Sequence, residues 1–392
     1  MHPSVPIAFL VHAGKDALSR LHAESGIPEG GLQLHLDAAL DWLIRAQDAT
    51  VDGGVSYGYS LRGGWLPSYR ETTGYIVPTM LTAADRLERP DLRRRARRMA
   101  DWLIEIQNPD GSISNPKYGE SGIVFDTGQV IFGLMAAFED TLDSKYLEAA
   151  SQAGSWLVTS ADDQGLWTRN EHMDTPHVYN SRTAWAALVL AQRVDNPRLT
   201  EICRANLDWA IDCQNDNGFF RENAFVRGAA PYTHNISYAV CGLQESGWLL
   251  GEDRYVEAAR RCSDAVRPLM RKDGFIPGAI DPQGSTVAWY SCLTGQCQFS
   301  VAWSRQHEHT SEPALREAAE RSLTYVLGKH RISAGEPGVS GGLAGSFPIW
   351  GRYAPFSFPN WAAKFLVDAT LAVSACDHRP VTESPTTVHR AG

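Results

Sequence analysis

The chain has 392 residues, of which 43% are hydrophobic and 21% charged, the balance of a soluble globular protein with a core large enough to hold it folded. A net charge of -9 argues against nucleic-acid binding, because displacing counterions from phosphate requires a basic face. No apolar run approaches the roughly 20 residues of a membrane span, and seven cysteines without framework spacing read as reduced thiols of a cytosolic protein. In chain order, residues 1–25 read as an N-terminal tail. The apolar stretch Val5 to Val11 is too short for a signal peptide and lacks a basic flank and a cleavage site. Residues 377–392, rich in Pro, Thr and Ser, read as a C-terminal tail.

Between the tails one pattern recurs roughly every 53 to 60 residues. It reads DWLIRAQ at Asp41 to Gln47, DWLIEIQ at Asp101 to Gln107, SWLVTSA at Ser155 to Ala161 and DWAIDCQ at Asp208 to Gln214. Ala265 and Tyr325 hold the equivalent place later. Trp42, Trp102, Trp156 and Trp209 thus mark one structural position. Each marker is followed by a Gly-containing turn, such as NPDGS at Asn108 or NDNGFF at Asn215. Asp-Gly and Asn-Gly stop a helix and reverse the chain, so these turns are expected to be hairpin ends. The marker helices carry a charged side; the basic run Arg93 to Arg98 is the solvated face of one of them.

The segments between, such as TAWAALVLA at Thr183 to Ala191, are apolar all round and must be buried all round. Six outer helices are expected to begin near Leu32, Asp91, Lys145, Arg198, Arg254 and Pro313. Six inner ones begin near Glu71, Asp126, Asn180, His234, Thr294 and Asn360. Twelve alternating helices bury their inner layer best by closing into a ring. The expected fold is all-α, a single (α/α)6 toroid of six outer-inner helical hairpins over residues 26–376.

The W-L-x-x-x-Q pattern with its Asp-Gly or Asn-Gly and aromatic, as in DWAIDCQNDNGFF, resembles the repeat of squalene-cyclase and prenyltransferase toroids. It resembles equally the six-hairpin glycosidases, polysaccharide lyases and sugar epimerases, which share the ring. The resemblance covers roughly residues 32–376 and concerns fold, because one scaffold hosts many reactions. The acidic D-x-D-D and D-D-x-x-D segments of isoprenoid cyclases do not occur, and Cys292 and Cys297 form no Cys-His zinc pattern. Neither metal nor cofactor is expected, and isoprenoid cyclisation becomes an alternative reading.

In such a ring the inner helices run parallel and their N-termini open on one funnel. Glu71, Asp126, Asn180, His234, Thr294 and Asn360 fall at equivalent places there. Asp, Asn and Thr also cap helices, whereas Glu71 and His234 are poor caps, which shifts both toward function. Aromatic residues crowd these positions: Trp65, Tyr69, Tyr75, Tyr179, Trp289, Tyr290, Trp350, Tyr353, Phe358 and Trp361. Such faces stack on pyranoses while Arg, Asn, Gln and Glu meet hydroxyls, so a saccharide substrate is expected.

Two mechanisms follow. Glu71 and Asp126 head adjacent inner helices about 8–10 Å apart, a separation suited to an inverting hydrolase with Glu71 as acid. Helix N-termini favour carboxylates, so apolar burial must override that field to keep the acid protonated. Alternatively Asn180, Arg182, Tyr179 and His234 match in type the set that toroidal lyases and uronate epimerases use. A non-catalytic saccharide-binding module is a third reading. The expected binding set comprises Arg70, Tyr69, Tyr179, Asn180, Arg182, Tyr232, Asn235, Gln296, Trp350, Tyr353, Asn360 and Trp361. Gly341 to Trp361, rich in Gly, Pro and aromatics, is expected to cover the funnel as a rim or lid with Trp350 and Tyr353 toward the ligand.

Overall fold

The computed structural model describes residues 7–19 and 31–377. Outer helices are α2 (Gly31–Asp48), α4 (Pro90–Glu105), α6 (Ser144–Ser160), α8 (Pro197–Asp212), α10 (Asp253–Val266) and α12 (Pro313–Leu327). Inner helices are α3 (Arg70–Arg86), α5 (Val124–Thr141), α7 (Ser181–Ala191), α9 (Thr233–Leu250), α11 (Leu293–Thr310) and α13 (Asn360–Asp377). Every one starts within two residues of its expected place. Charge partitions as expected: α4 exposes its arginines and buries Leu92, Ala96, Met99, Trp102 and Leu103, whereas α9 buries nearly its whole circumference. The inner helices pack in sequence from α3 to α13, and α13 packs on α3 and on α2. The ring is therefore closed, with the last inner helix paired to the first outer one.

The hairpins run the other way from the sequence expectation. The tight turns lie between an inner helix and the outer helix after it, as at Leu142, Gly251 and Ser311, whose φ of 57°, 67° and 60° form left-handed C-caps. The Gly turns after the Trp markers instead open the long outer-to-inner links, all on the funnel end. There the turn glycine packs hard against the next outer helix: a Cβ on Gly111 would lie 2.4 Å from the Gln152 carbonyl, and one on Gly218 2.6 Å from that of Arg261.

The marker glutamines explain why the pattern repeats. Gln47, Gln107 and Gln214 each donate Nε2 to the carbonyl of their own turn glycine, at 3.0, 2.8 and 2.9 Å. Each also donates to a carbonyl of the next outer helix, that of Arg95, Ala149 or Ala258. One side-chain amide thus ties a turn to its neighbouring hairpin. The third repeat lacks the glutamine, and Asn206 of α8 reaches the Gly165 carbonyl at 2.8 Å in its place. Gln296 does the same for Gly274 at 2.9 Å, which makes it a structural tie rather than a ligand contact.

Two further features depart from expectation. The presumed N-terminal tail contains helix α1 (Ile7–Ser19). It docks on the last long link: Asp16 accepts from the Ile349 amide at 2.7 Å and pairs with Arg331, and Phe9 stacks on Phe356 at 4.1 Å. The C-terminal tail beyond Asp377 and the rest of the N-terminal one lie outside the described residues. That last link, residues 328–359, is pinned by short strands. β4 (Ser346–Phe347) pairs with β3 (Ser291–Cys292), and β5 (Ser357–Pro359) pairs with β1 (Gly58–Ser60), itself paired with β2 (Gly64–Trp65). No helix among the described residues is long and apolar enough to cross a membrane.

Candidate active site

At the funnel end the inner-helix starts and the long links enclose a cavity of about 330 Å3. Nine of the expected residues line it: Tyr69, Glu71, Tyr75, Asp126, Tyr179, Tyr232, His234, Tyr353 and Trp361. Tyr69 and Tyr232 are the residues immediately before α3 and α9, so their rings stand over the helix starts.

Glu71 and Asp126 lie in the first turns of adjacent helices, but neither occupies the cap position, held by Tyr69 and Ile123. Asp126 is 4% exposed, and its Oδ2 accepts from Asn115 Nδ2 at 3.2 Å. Glu71 is half-buried and lines the cavity. Burial raises the pKa of both carboxyls, overriding the helix-end field. The Asp126 charge pushes Glu71 up further, against the opposing Tyr69 hydroxyl, Arg182 charge and Tyr75 hydroxyl. Asp126 is eased instead by the Asn115 bond and the Arg70 charge. Both carboxyls thus hold their protons to higher pH than free ones, and a charge on Asp126 raises Glu71 further.

His234 Nδ1 lies 2.7 Å from Gln298 Oε1, which assigns the proton to Nδ1 and leaves Nε2 an acceptor. Burial draws its pKa down to about 3, so the ring is neutral. Trp361 donates to the Tyr353 hydroxyl at 2.8 Å, fixing the rim tyrosine.

The other expected contacts lie elsewhere. Arg70 is turned to the 106–123 link, donating Nη1 to the Ser114 hydroxyl at 2.6 Å. Asn235 closes the start of α9 by accepting from the Tyr232 amide at 3.2 Å. Asn360 bridges the Ser56 carbonyl and the Thr72 hydroxyl. Arg182 sits beneath the floor, where it bonds Gln129 Oε1 at 2.8 Å and lies 5.6 and 5.1 Å from the Tyr75 and Tyr238 ring centres. Asn180 is buried outside the cavity wall, with neither side-chain polar atom hydrogen-bonded. Of the rim segment, Arg352, Tyr353 and Ala354 reach the cavity, while Trp350 lies 6.5 Å from Trp289, away from it. Trp65, Trp289, Tyr290 and Phe358 are likewise outside its wall.

Sequence reasoning missed the wall residues that come from links rather than helix starts: Tyr57, Asn115, Tyr118, His172, Phe225 and Arg352. Links carry no periodic signal that would flag them. It also missed Glu171, 6% exposed, whose two oxygens have no hydrogen-bond partner among the described residues. Burial raises its pKa well above the ordinary range, and the Asp126 charge adds to that. The Asn180 amide opposes the rise, near enough to favour the charged form but outside hydrogen-bond geometry.

The ring has the (α/α)6 toroid fold. The family model of the squalene-hopene cyclase C-terminal domain matches residues 67–246. The solved structures it is similar to include the unsaturated glucuronyl hydrolase of Bacillus sp. GL1, at 12% identity and TM-score 0.69 over 87% of this chain and 96% of that one. Cellobiose 2-epimerase from Bacillus thermoamylovorans superposes at 14% identity and TM-score 0.66, over 87% and 98% of the two chains. A polysaccharide lyase does so at 12% identity and TM-score 0.63, over 90% and 99%. No curated protein matches the chain by sequence. At these identities the likeness is one of fold.

Proposed function

We propose that the protein is a carbohydrate-active enzyme that hydrolyses a glycosidic bond, with Glu71 as general acid and Asp126 as general base. The observation carrying this reading is the pair of carboxyls in the first turns of adjacent inner helices, both lining one cavity, where burial raises both pKa values. An acid that holds its proton near neutrality and a base that has lost its own are what inverting hydrolysis requires. Glu71 would protonate the leaving oxygen while Asp126 takes a proton from the attacking water. Arg182 beneath the floor then favours the Glu71 carboxylate left behind, acting through Glu71 rather than on substrate. Neutral His234 offers Nε2 to a sugar hydroxyl.

The lining supports a saccharide over a hydrocarbon. Eight tyrosines, two carboxyls, Asn115, Arg352 and two histidines face the cavity, against Phe125, Phe225, Trp361, Ile123 and Ala354. Seating a hydrocarbon there would strip water from those polar groups without replacing its hydrogen bonds. A second reading rests on Tyr179 and His234, which both face the cavity: a lyase or epimerase moving a proton at a sugar carbon.

The test is incubation with neutral and uronate-containing glycans, following reducing ends and the absorbance of unsaturated uronates. New reducing ends alone support hydrolysis, and both signals together mean elimination. Glu71→Gln should abolish the first signal, and a fully active Glu71→Gln protein would refute the acid assignment.

A further inference from the structure

A second groove, of about 550 Å3, lies against the first cavity on the same end of the ring. The two spaces share their walls residue by residue. Phe225 and Tyr232 face the cavity, while their neighbours Ala224, Val226 and Pro231 face the groove. The partition between them is a stacked ring pair: Tyr179 on the cavity side and His177 on the groove side, 4.6 Å apart and 9° from parallel.

The groove is chemically distinct from the cavity, with no tyrosine or tryptophan in its wall. Its charges balance, Arg221 and Arg227 against Glu222 and Asp281, and they are engaged locally. Arg221 donates to Asn215 and to the Asp212 carbonyl, Arg227 lies 3.8 Å from Glu222, and Asp281 accepts from the Gln283 and Ser285 amides. What remains is apolar surface and neutral polar groups. Val226 and Val287 stand 50% and 53% exposed in its wall, beside Pro231 and Gln283. Asn223 in the same wall is 2% exposed, with neither its amide nitrogen nor its oxygen hydrogen-bonded. Exposed apolar side chains beside an unsatisfied carboxamide suit a ligand with C–H faces and hydroxyls and no net charge.

The first cavity is at the small end of ligand pockets, which span roughly 300–1,000 Å3, and so takes the end of a chain rather than a run of it. We propose that the groove is a distal subsite holding the neutral sugar units beyond the bond that is cut, so that the protein works on chain ends and prefers longer oligosaccharides. This rests on the saccharide reading of the cavity.

The experiment is calorimetric titration of Glu71→Gln protein with di- to hexasaccharides of the cello-, chito-, manno- and oligogalacturonide series. Affinity for the preferred neutral series is expected to rise about tenfold from di- to hexasaccharide, and a rise confined to the oligogalacturonides would overturn the neutral subsite. Adding Val226→Glu and Val287→Arg, both at exposed positions, is expected to return the hexasaccharide to disaccharide affinity and leave the disaccharide unchanged. Binding that is independent of length, or a length effect indifferent to the groove substitutions, overturns the subsite while leaving the saccharide reading intact. Failure to bind any of the four series overturns both.

Discussion

Glu71 and Asp126 occupy first turns of helices, where a carboxylate is ordinarily stabilised. Here that preference loses to desolvation, because aromatic rings and protein backbone replace water around both groups. Asn115 is the counterweight on Asp126: its bond favours the charged form. Asn115→Ala should therefore raise the Asp126 pKa and move the acid limb of the pH-rate profile to higher pH, with kcat approaching the parent value on the alkaline side. An unmoved acid limb would show that Asp126 is not the base. Glu171 gives a prediction on stability. Its folded pKa is raised, so its contribution is fully present below the free-glutamate value of 4.5 and is lost as pH rises through the folded value. Glu171→Gln, neutral throughout, should gain on the parent progressively as pH rises above 4.5, measured by urea unfolding at a series of pH values. Parallel curves would mean that Glu171 does not titrate differently in the folded protein.

At the scale of elements, the glutamine ties account for the repeat. Gln107→Ala removes two hydrogen bonds, to the Gly111 and Ala149 carbonyls, and should cost about 2 kcal/mol of unfolding free energy. Asn206→Ala should cost a similar amount, since the asparagine serves the repeat that lacks the glutamine. A harmless Asn206→Ala would mean that the third turn is held by something else. The helices were legible because amphipathic outer and wholly apolar inner segments differ in period and charge, and because the Trp markers repeat. The direction of the hairpins was not. A glycine turn reads the same whether a short or a long link follows, and the two-residue turns at Leu142 and Ser311 carry no glycine at all. The site was half legible for a related reason. Residues heading inner helices share a register that can be counted, but the register does not say which way a side chain turns. Asn235, Asn360 and Gln296 turned out to serve the scaffold, while Tyr57, Asn115, Tyr118 and His172 reach the cavity from links without periodicity.

At the scale of the molecule, α1 and the 328–359 link act as one unit. Asp16, buried at 5% exposure, holds the Ile349 amide and Arg331 together, three residues from the Arg352 and Tyr353 wall. Asp16→Ala should cost about 3 kcal/mol, the usual scale for breaking a buried pair from one side. It should also raise KM more than it lowers kcat, because the rim loosens while Glu71 and Asp126 stay in place. Equal loss in both parameters would tie α1 to the chemistry itself. No sequence signal linked α1 to that rim, because the contact joins segments more than 300 residues apart.

The seam between α13 and the helices α2 and α3 sets the order in which the protein can become active during synthesis. Glu71, Asp126 and His234 leave the ribosome well before Asn360. Until α13 docks, the apolar inner layer has an open edge facing water. The nascent chain is thus most exposed to aggregation and most in need of chaperones just before α13 emerges. A stop codon ahead of Asn360 should yield no partly active fragment, although every proposed proton-transfer group would already have been made.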